Sequence, residues 1–178
     1  MNHKKIFPYL FMLILLVRCD EKKEQSMEIN DLKLNQIQVI GSHNSYRIHP
    51  TVDMFNLMLG LNPELASELD YDHPSFDVQF SQHGIRQIEI DVYHDPEGGL
   101  FYNQRGNLFI GLPVASGIEE LLNPGLKVLH FPDIDYRTHY ITFVDALTAV
   151  KTWSDTNPNH IPIFILVEAK DEGLTSVY

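Results

Sequence analysis

The apolar positions of this chain come in short runs, several of which carry their polar residues inside them or at the C-terminal end. Gln36–Ile40 reads as a first strand closed by Gly41. Met54, Phe55, Leu57, Met58 and Leu59 predict a short helix before Gly60, and Pro63–Leu69 predicts another. In Pro74–Gln82, Phe76 and Phe80 are spaced to share one helical face, and Gly84 closes that helix. Ile85–Tyr93 is a second strand, followed by the turn Asp95-Pro96-Glu97-Gly98-Gly99. Leu100–Ile110 is expected to form a hairpin around Arg105-Gly106-Asn107, and Leu126–His130 a third strand. Phe143, Leu147 and Val150 give His139–Trp153 a helical spacing that Asn157-Pro158 stops. Ile161–Glu168 is almost continuously apolar, as in a strand buried on both faces. Strands and helices in this order predict an α/β fold with a parallel sheet.

The N-terminus belongs to a different pattern. Lys4 and Lys5 precede the apolar run Ile6–Val17, which has the shape of a secretory signal and is short for a membrane span. The run ends at Cys19, the chain's only cysteine, so no internal disulfide can form. A lone cysteine after such a run resembles the acylated cysteine of a bacterial lipoprotein; Leu16 and Val17 fit that pattern and Arg18 does not. The expected organisation is a signal peptide (1–18), a charged tether (19–35) and one folded unit (36–178). This implies secretion across the inner membrane and anchoring in a bacterial cell envelope. The 178 residues suffice for one domain with a core, and 44% apolar content is ordinary. A net charge of -11 argues against binding to nucleic acid, or to an anionic membrane by electrostatics alone, while clustered carboxylates suit a cation.

Glu89 and Asp91 are two apart on a predicted strand, so both side chains share a face while Ile88, Ile90 and Val92 take the other. Two carboxylates on one face of an apolar strand need a metal ion, a pair of basic residues, or water at an exposed strand end. Glu168 ends an apolar strand, His43-Asn44 ends the first strand, and His130 ends the third. Parallel barrels carry their chemistry at such ends, and hard oxygen ligands beside two histidines suit metal-assisted chemistry on a phosphate. His49, His73, His83, His94, His139 and His160 fall in loops or near helix ends and read as solvated or capping groups, with His94-Asp95 also a candidate to support Asp91. Neither a glycine-rich phosphate loop nor a zinc-type cysteine–histidine spacing occurs.

At these residues the chain resembles the calcium-dependent phosphoinositide phospholipase C family, over roughly residues 36–172. Ser42-His43-Asn44-Ser45-Tyr46 is similar to the family's first motif, Glu89-Ile90-Asp91 to its pair of calcium ligands, Val128-Leu129-His130 to the strand with the second catalytic histidine, and Pro162–Glu168 to the strand ending in a further ligand. Metal-independent relatives carry an arginine in place of the metal, and glycerophosphodiester phosphodiesterases open with His-Arg, whereas this chain has His43-Asn44. The long interval from Asp91 to His130, with its His130-Phe-Pro-Asp-Ile-Asp135-Tyr-Arg137 segment, resembles a bacterial and fungal branch.

The resemblance implies a TIM-like (β/α) barrel, of which about four strands, the first half, are expected in this chain. On this expectation the chain is a fragment, or the missing half-barrel comes from elsewhere, or a second copy takes its place. It implies a phosphoric diester hydrolase acting on a phospholipid, with His43 and His130 catalytic. Asn44, Glu89, Asp91 and Glu168 would hold Ca2+, which they suit better than Mg2+ with its stricter octahedron. Two other readings are a glycerophosphodiesterase or other lipid phosphodiesterase on the same metal site, and a non-catalytic calcium-binding surface lipoprotein. The lipoprotein reading has a direct test. Cys19→Ser should move the protein from the membrane fraction to the soluble extract, and equal fractionation of both forms after a carbonate wash would count against acylation.

Overall fold

In the computed structural model, which describes residues 31–170, the organising strand is β1, Gln87–Asp95. Its alternation sends Ile88, Ile90 and Val92 to one face and Glu89, Asp91 and Tyr93 to the other. The apolar face is covered by two helices, α3 (Phe76–Gln82) and α4 (Phe143–Thr156). Phe76, Phe80, Ala146 and Trp153 join the strand's three aliphatic residues, Tyr46 and Val128 in the main core. Burying each isoleucine there contributes about 1.5–3 kcal/mol. The Phe80 and Trp153 rings lie 5.0 Å apart, and the indole N–H donates to Ser81 Oγ at 2.7 Å. The predicted face of Phe76 and Phe80 therefore meets the strand beside Phe143, Ala146, Val150 and Trp153 of α4, whereas Leu147, expected on that face with Phe143 and Val150, is exposed because the packing face runs through Ala146 instead.

Local signals define the helix ends. Thr142 and Asp145 form a reciprocal capping box that starts α4 at Phe143, later than the expected His139. α1, Val52–Leu61, is capped by Thr51, and Asn62 both ends α1 and caps α2, Pro63–Glu68, with Pro63 in its first turn. Met54 and Met58 of α1 pack with Ala66 and Leu69 in a separate small cluster.

The sheet is mixed. β3, Phe164–Lys170, runs parallel to β1 with Asp91 opposite Glu168; β2, Gly125–Lys127, runs antiparallel with Tyr93 opposite Lys127. The order is β2-β1-β3. The all-parallel expectation fails at β2 because residues 96–124 form turns and short 3-10 segments rather than a crossover helix. Residues 128–130 leave the strand, with Val128 N–H donating to Ile141 O. Gln36–Ile40 is not a strand either: Leu34–Gln36 is a 3-10 turn, and pairing with β1 is confined to a parallel bridge at Gly41. Ile40 is exposed, so the apolar alternation there answers no packing demand among the described residues. The expected hairpin at 100–110 is a turn and a 3-10 helix, Arg105–Ile110, held by Asn107 Nδ2 donating to Pro113 O. In β3, Leu166 is 59% exposed, so the continuous apolar run does not lie buried on both faces. It pairs with β1 alone among the described residues. Cys19, the signal segment and most of the tether lie outside the described residues.

One glycine holds two loops together. A Cβ on Gly106 would lie 2.1 Å from the Asp133 carbonyl oxygen, and the neighbouring Arg105 N–H donates to Asp133 Oδ1 at 2.5 Å. Asp133 itself has φ 72 and donates its N–H to Gln104 Oε1 at 2.6 Å. Gly106→Ala must push the 131–135 loop outward and should cost about 1–3 kcal/mol in urea unfolding. An unchanged midpoint would show that this loop yields freely.

Candidate functional site

The segment 41–47 is fastened along the start of β1. Ser42 N–H donates to Gln87 O at 3.1 Å and Ser45 N–H to Glu89 O at 3.0 Å, while Ser45 Oγ accepts from Glu89 N–H at 2.9 Å. Gln79 of α3 locks the same turn, donating to Ser45 O at 2.7 Å and accepting from Ser42 Oγ at 2.8 Å. Asn44 sits in the left-handed region, φ 49, which asparagine tolerates better than most residues. There its N–H donates to Glu89 Oε2 at 2.7 Å and its Nδ2 to Tyr71 Oη at 2.8 Å.

Glu89, Asp91 and Glu168 each bring a carboxylate oxygen within 4.8 Å of the others. The alternation of β1 and the parallel register with β3 are what bring them together. Glu89 and Asp91 are buried and Glu168 is exposed. Glu89 Oε1 and both Asp91 oxygens are buried with no hydrogen-bond partner. Lys170, on the same face of β3 as Glu168, supplies the countercharge. Its Nζ donates to Glu168 Oε1 at 2.6 Å and lies 3.2 Å from Asp91 Oδ2, an ion pair without hydrogen-bond alignment. Burial, then the adjacent Glu89, pushes the Asp91 carboxyl up to about 7 against the pull of Lys170. The Lys170 hydrogen bond holds Glu168 below the usual range. Burial works against the charge of Lys170, but its pairs with Glu168 and Asp91 outweigh that and raise it. Burial, then the Asp91 and Glu89 charges, pushes the Tyr46 hydroxyl far up, so it stays a donor. A set of oxygen donors with orphaned buried atoms fits a hard cation.

His130 lies just past β2, its side chain 11% exposed, and its Nδ1 is 2.7 Å from Asp135 Oδ2. Arg47 Nε donates to that same oxygen at 2.7 Å, with both Arg47 and Asp135 fully buried. The guanidinium also donates to Leu69 O at 2.8 Å and to Tyr71 O, and stacks 4.5 Å over the Tyr71 ring. His43 is exposed beside Asn44. It lines a cleft of about 300 Å³ with Gly41, Ser42, Gln87, Glu89 and Leu166, and a larger one of about 520 Å³ that reaches Tyr71 and His73.

The profile described as "Phosphoinositide phospholipase C, Ca2+-dependent" matches residues 32–177. The chain belongs to this family. No curated protein and no solved structure matches it. Of the six residues singled out in this phospholipase C family member, Glu89, Asp91 and Glu168 converge, and Asn44 joins them through its bond to Glu89. His43 flanks that cluster, while His130 is tied instead to Asp135 and Arg47. His94 is exposed and stands on the face of β1 opposite Asp91, so it does not support that carboxylate; Asp95 pairs with Lys127 at 3.4 Å. Sequence reasoning missed Arg47, Tyr71, Asp135 and Lys170. Only Lys170 had a direct signal, since its two-residue spacing from Glu168 puts both on one face.

The Asp91 carboxyl carries a pH signature in the metal-free protein. Its folded value of about 7 lies above the ordinary 3.8, so between those values the folded state holds a proton that the unfolded state has lost. The stability it contributes is fully present below about pH 3.8 and is lost as pH rises through about 7. Thermal melts of the metal-free wild type should therefore lose stability relative to Asp91→Asn as pH rises across that window. A difference between the two that stays constant with pH would show that Asp91 titrates as an ordinary carboxylate.

Proposed function

We propose that this member of the calcium-dependent phosphoinositide phospholipase C family is a phosphoric diester hydrolase that releases the phosphorylated head group of a membrane phospholipid. The observation that carries this reading is the trio of carboxylates on β1 and β3, in which Glu89 Oε1 and both Asp91 oxygens are buried without a hydrogen-bond partner. Three carboxylates and the Asn44 side chain match calcium, with its six to eight oxygen ligands, better than magnesium. The parallel β1–β3 pair with α3 and α4 on the apolar face supports reading the chain as part of a TIM-like barrel. Ile6–Val17 and Cys19 support a secreted, lipid-anchored protein of the bacterial envelope.

Asn44, Glu89, Asp91 and Glu168 would hold the cation. Bound calcium would supply Lewis-acid charge beside the phosphate, favouring an attacking hydroxyl at neutral pH. Lys170 balances Glu168 and Asp91 in the metal-free protein, and a cation held by these carboxylates would take over that charge balance. His43, exposed at the cleft beside Glu89, donates to a phosphoryl oxygen as negative charge grows there. One of the three carboxylates accepts the proton of the attacking hydroxyl. His130 gives a proton to the leaving alcohol as general acid.

Head-group release from phosphatidylinositol vesicles tests the proposal. Release should stop in excess chelator and return with calcium, and Glu89→Gln should raise the calcium requirement by about tenfold or more. Full release in chelator would remove the metal from the reaction. Tight calcium binding without turnover of any phospholipid would favour the non-catalytic reading.

A further inference from the structure

A buried ion pair is a poor device for stability. Burying both charges costs several kcal/mol per ion, and apolar replacements are often as stable. Arg47 and Asp135 are nevertheless both fully buried, and Arg47 is held from several sides. Its guanidinium reaches Leu69 O and Tyr71 O and stacks on the Tyr71 ring. Its backbone N–H donates to Asn44 O at 2.9 Å and its carbonyl accepts from His73 N–H at 3.1 Å. The carboxylate it meets is equally constrained. Phe131 and Asp135 exchange both backbone hydrogen bonds, at 3.1 and 3.0 Å, which closes the loop that carries His130 back onto itself.

The bonds are also unequally shared. Arg47 Nε and His130 Nδ1 both converge on Asp135 Oδ2 at 2.7 Å, while Oδ1 is buried without a partner. A carboxylate serving only as a loop staple gains more by spreading its bonds over both oxygens. Placing the arginine and the imidazole on one oxygen sacrifices that gain and fixes the direction of the imidazole. Tyr93 Oη, donating to His130 O at 2.8 Å, ties the backbone of the same residue to β1. Arg47 balances the charge of Asp135, so His130 meets a neutralised pair rather than a lone buried anion.

We propose that Asp135, clamped by Arg47, is the positioning residue for His130. It accepts from Nδ1–H, fixes that tautomer and turns Nε2 toward the leaving group of the phosphodiester. This rests on the general-acid role proposed above for His130. In the step it serves, the attacking hydroxyl oxygen, its proton taken by a carboxylate, forms a new P–O bond, and the P–O bond to the leaving oxygen breaks with its electron pair passing to that oxygen. That oxygen takes the Nε2 proton. The ring is left neutral with Nδ1–H still on Asp135, and solvent returns the proton to Nε2. Arg47 lies in the same segment as His43 and Asn44, so one turn of chain would align the cation site and, through Asp135, the general acid.

The test uses the full chain. In the wild type, long-range 1H–15N spectra of neutral His130 should show the Nδ1–H tautomer; the Nε2–H tautomer would overturn the proposal before any variant is made. Asp135→Asn offers an amide that can donate to Nδ1, so the tautomer should switch. Its kcat should fall on the order of 10²–10⁴-fold on a phospholipid with an alcohol leaving group. On a nitrophenyl phosphodiester, whose leaving group needs little protonation, the loss should be under about tenfold, with KM little changed. Equal losses on the two substrates, or full activity on both, would reduce the Asp135–Arg47 pair to a loop staple. If the wild type hydrolyses no diester at all, the functional reading falls, and the spectra alone decide whether Asp135 sets the tautomer.

Discussion

Everything near the candidate site answers to the two carboxylates on the inward face of β1. Glu89 and Asp91 stand side by side, buried, and no hydrogen bond reaches Glu89 Oε1 or either Asp91 oxygen. Burial first, and then the neighbouring Glu89, raises the Asp91 carboxyl to about 7, so the pair resists full ionisation. The fold tolerates it because the opposite face of the same strand buries Ile88, Ile90 and Val92 against α3 and α4. Hydrophobic burial on one face supports electrostatic strain on the other, and strain of that kind marks a functional surface better than it marks a stabilising one.

Relief of that strain comes from the chain segments laid along β1. The 41–47 segment points the Asn44 N–H at Glu89, and β3 brings Lys170 to Asp91 and Glu168. Lys170 is therefore the cation of the metal-free site. A divalent ion competing for these carboxylates must displace an ammonium group as well as the proton that Asp91 keeps. Any metal affinity of this site would thereby be linked to pH through these two groups.

A second polar assembly sits beyond the first. Tyr71 accepts from Asn44 through its hydroxyl and lies beneath the Arg47 guanidinium, which meets Asp135 and, through it, His130. The short stretch that follows α2, from Leu69 to Tyr71, carries the carbonyls and ring that orient Arg47. The loop bearing Asp135 is in turn fixed against Gly106, where there is no room for a Cβ. The family match spans all six residues singled out in the sequence; this assembly is the frame that supports one of them, His130.

What the sequence determined by itself was whatever depends on neighbours along the chain. Period-two alternation put Glu89 with Asp91 on one face and the aliphatic residues on the other, and capping residues with proline and glycine delimited the helices. The family was legible too, because its motifs are short and local. Tertiary structure decided the rest. An isolated apolar run such as Ile163–Val167 reads alike in a buried strand and in one with Leu166 largely exposed, since burial depends on what packs across it. The direction of β2 depended on a connection without a helix, and the partners of Asp135 lie 88 residues away at Arg47 and 5 away at His130. Alternation can show that a charge lies on a buried face. Only the folded chain brings up the group that answers it.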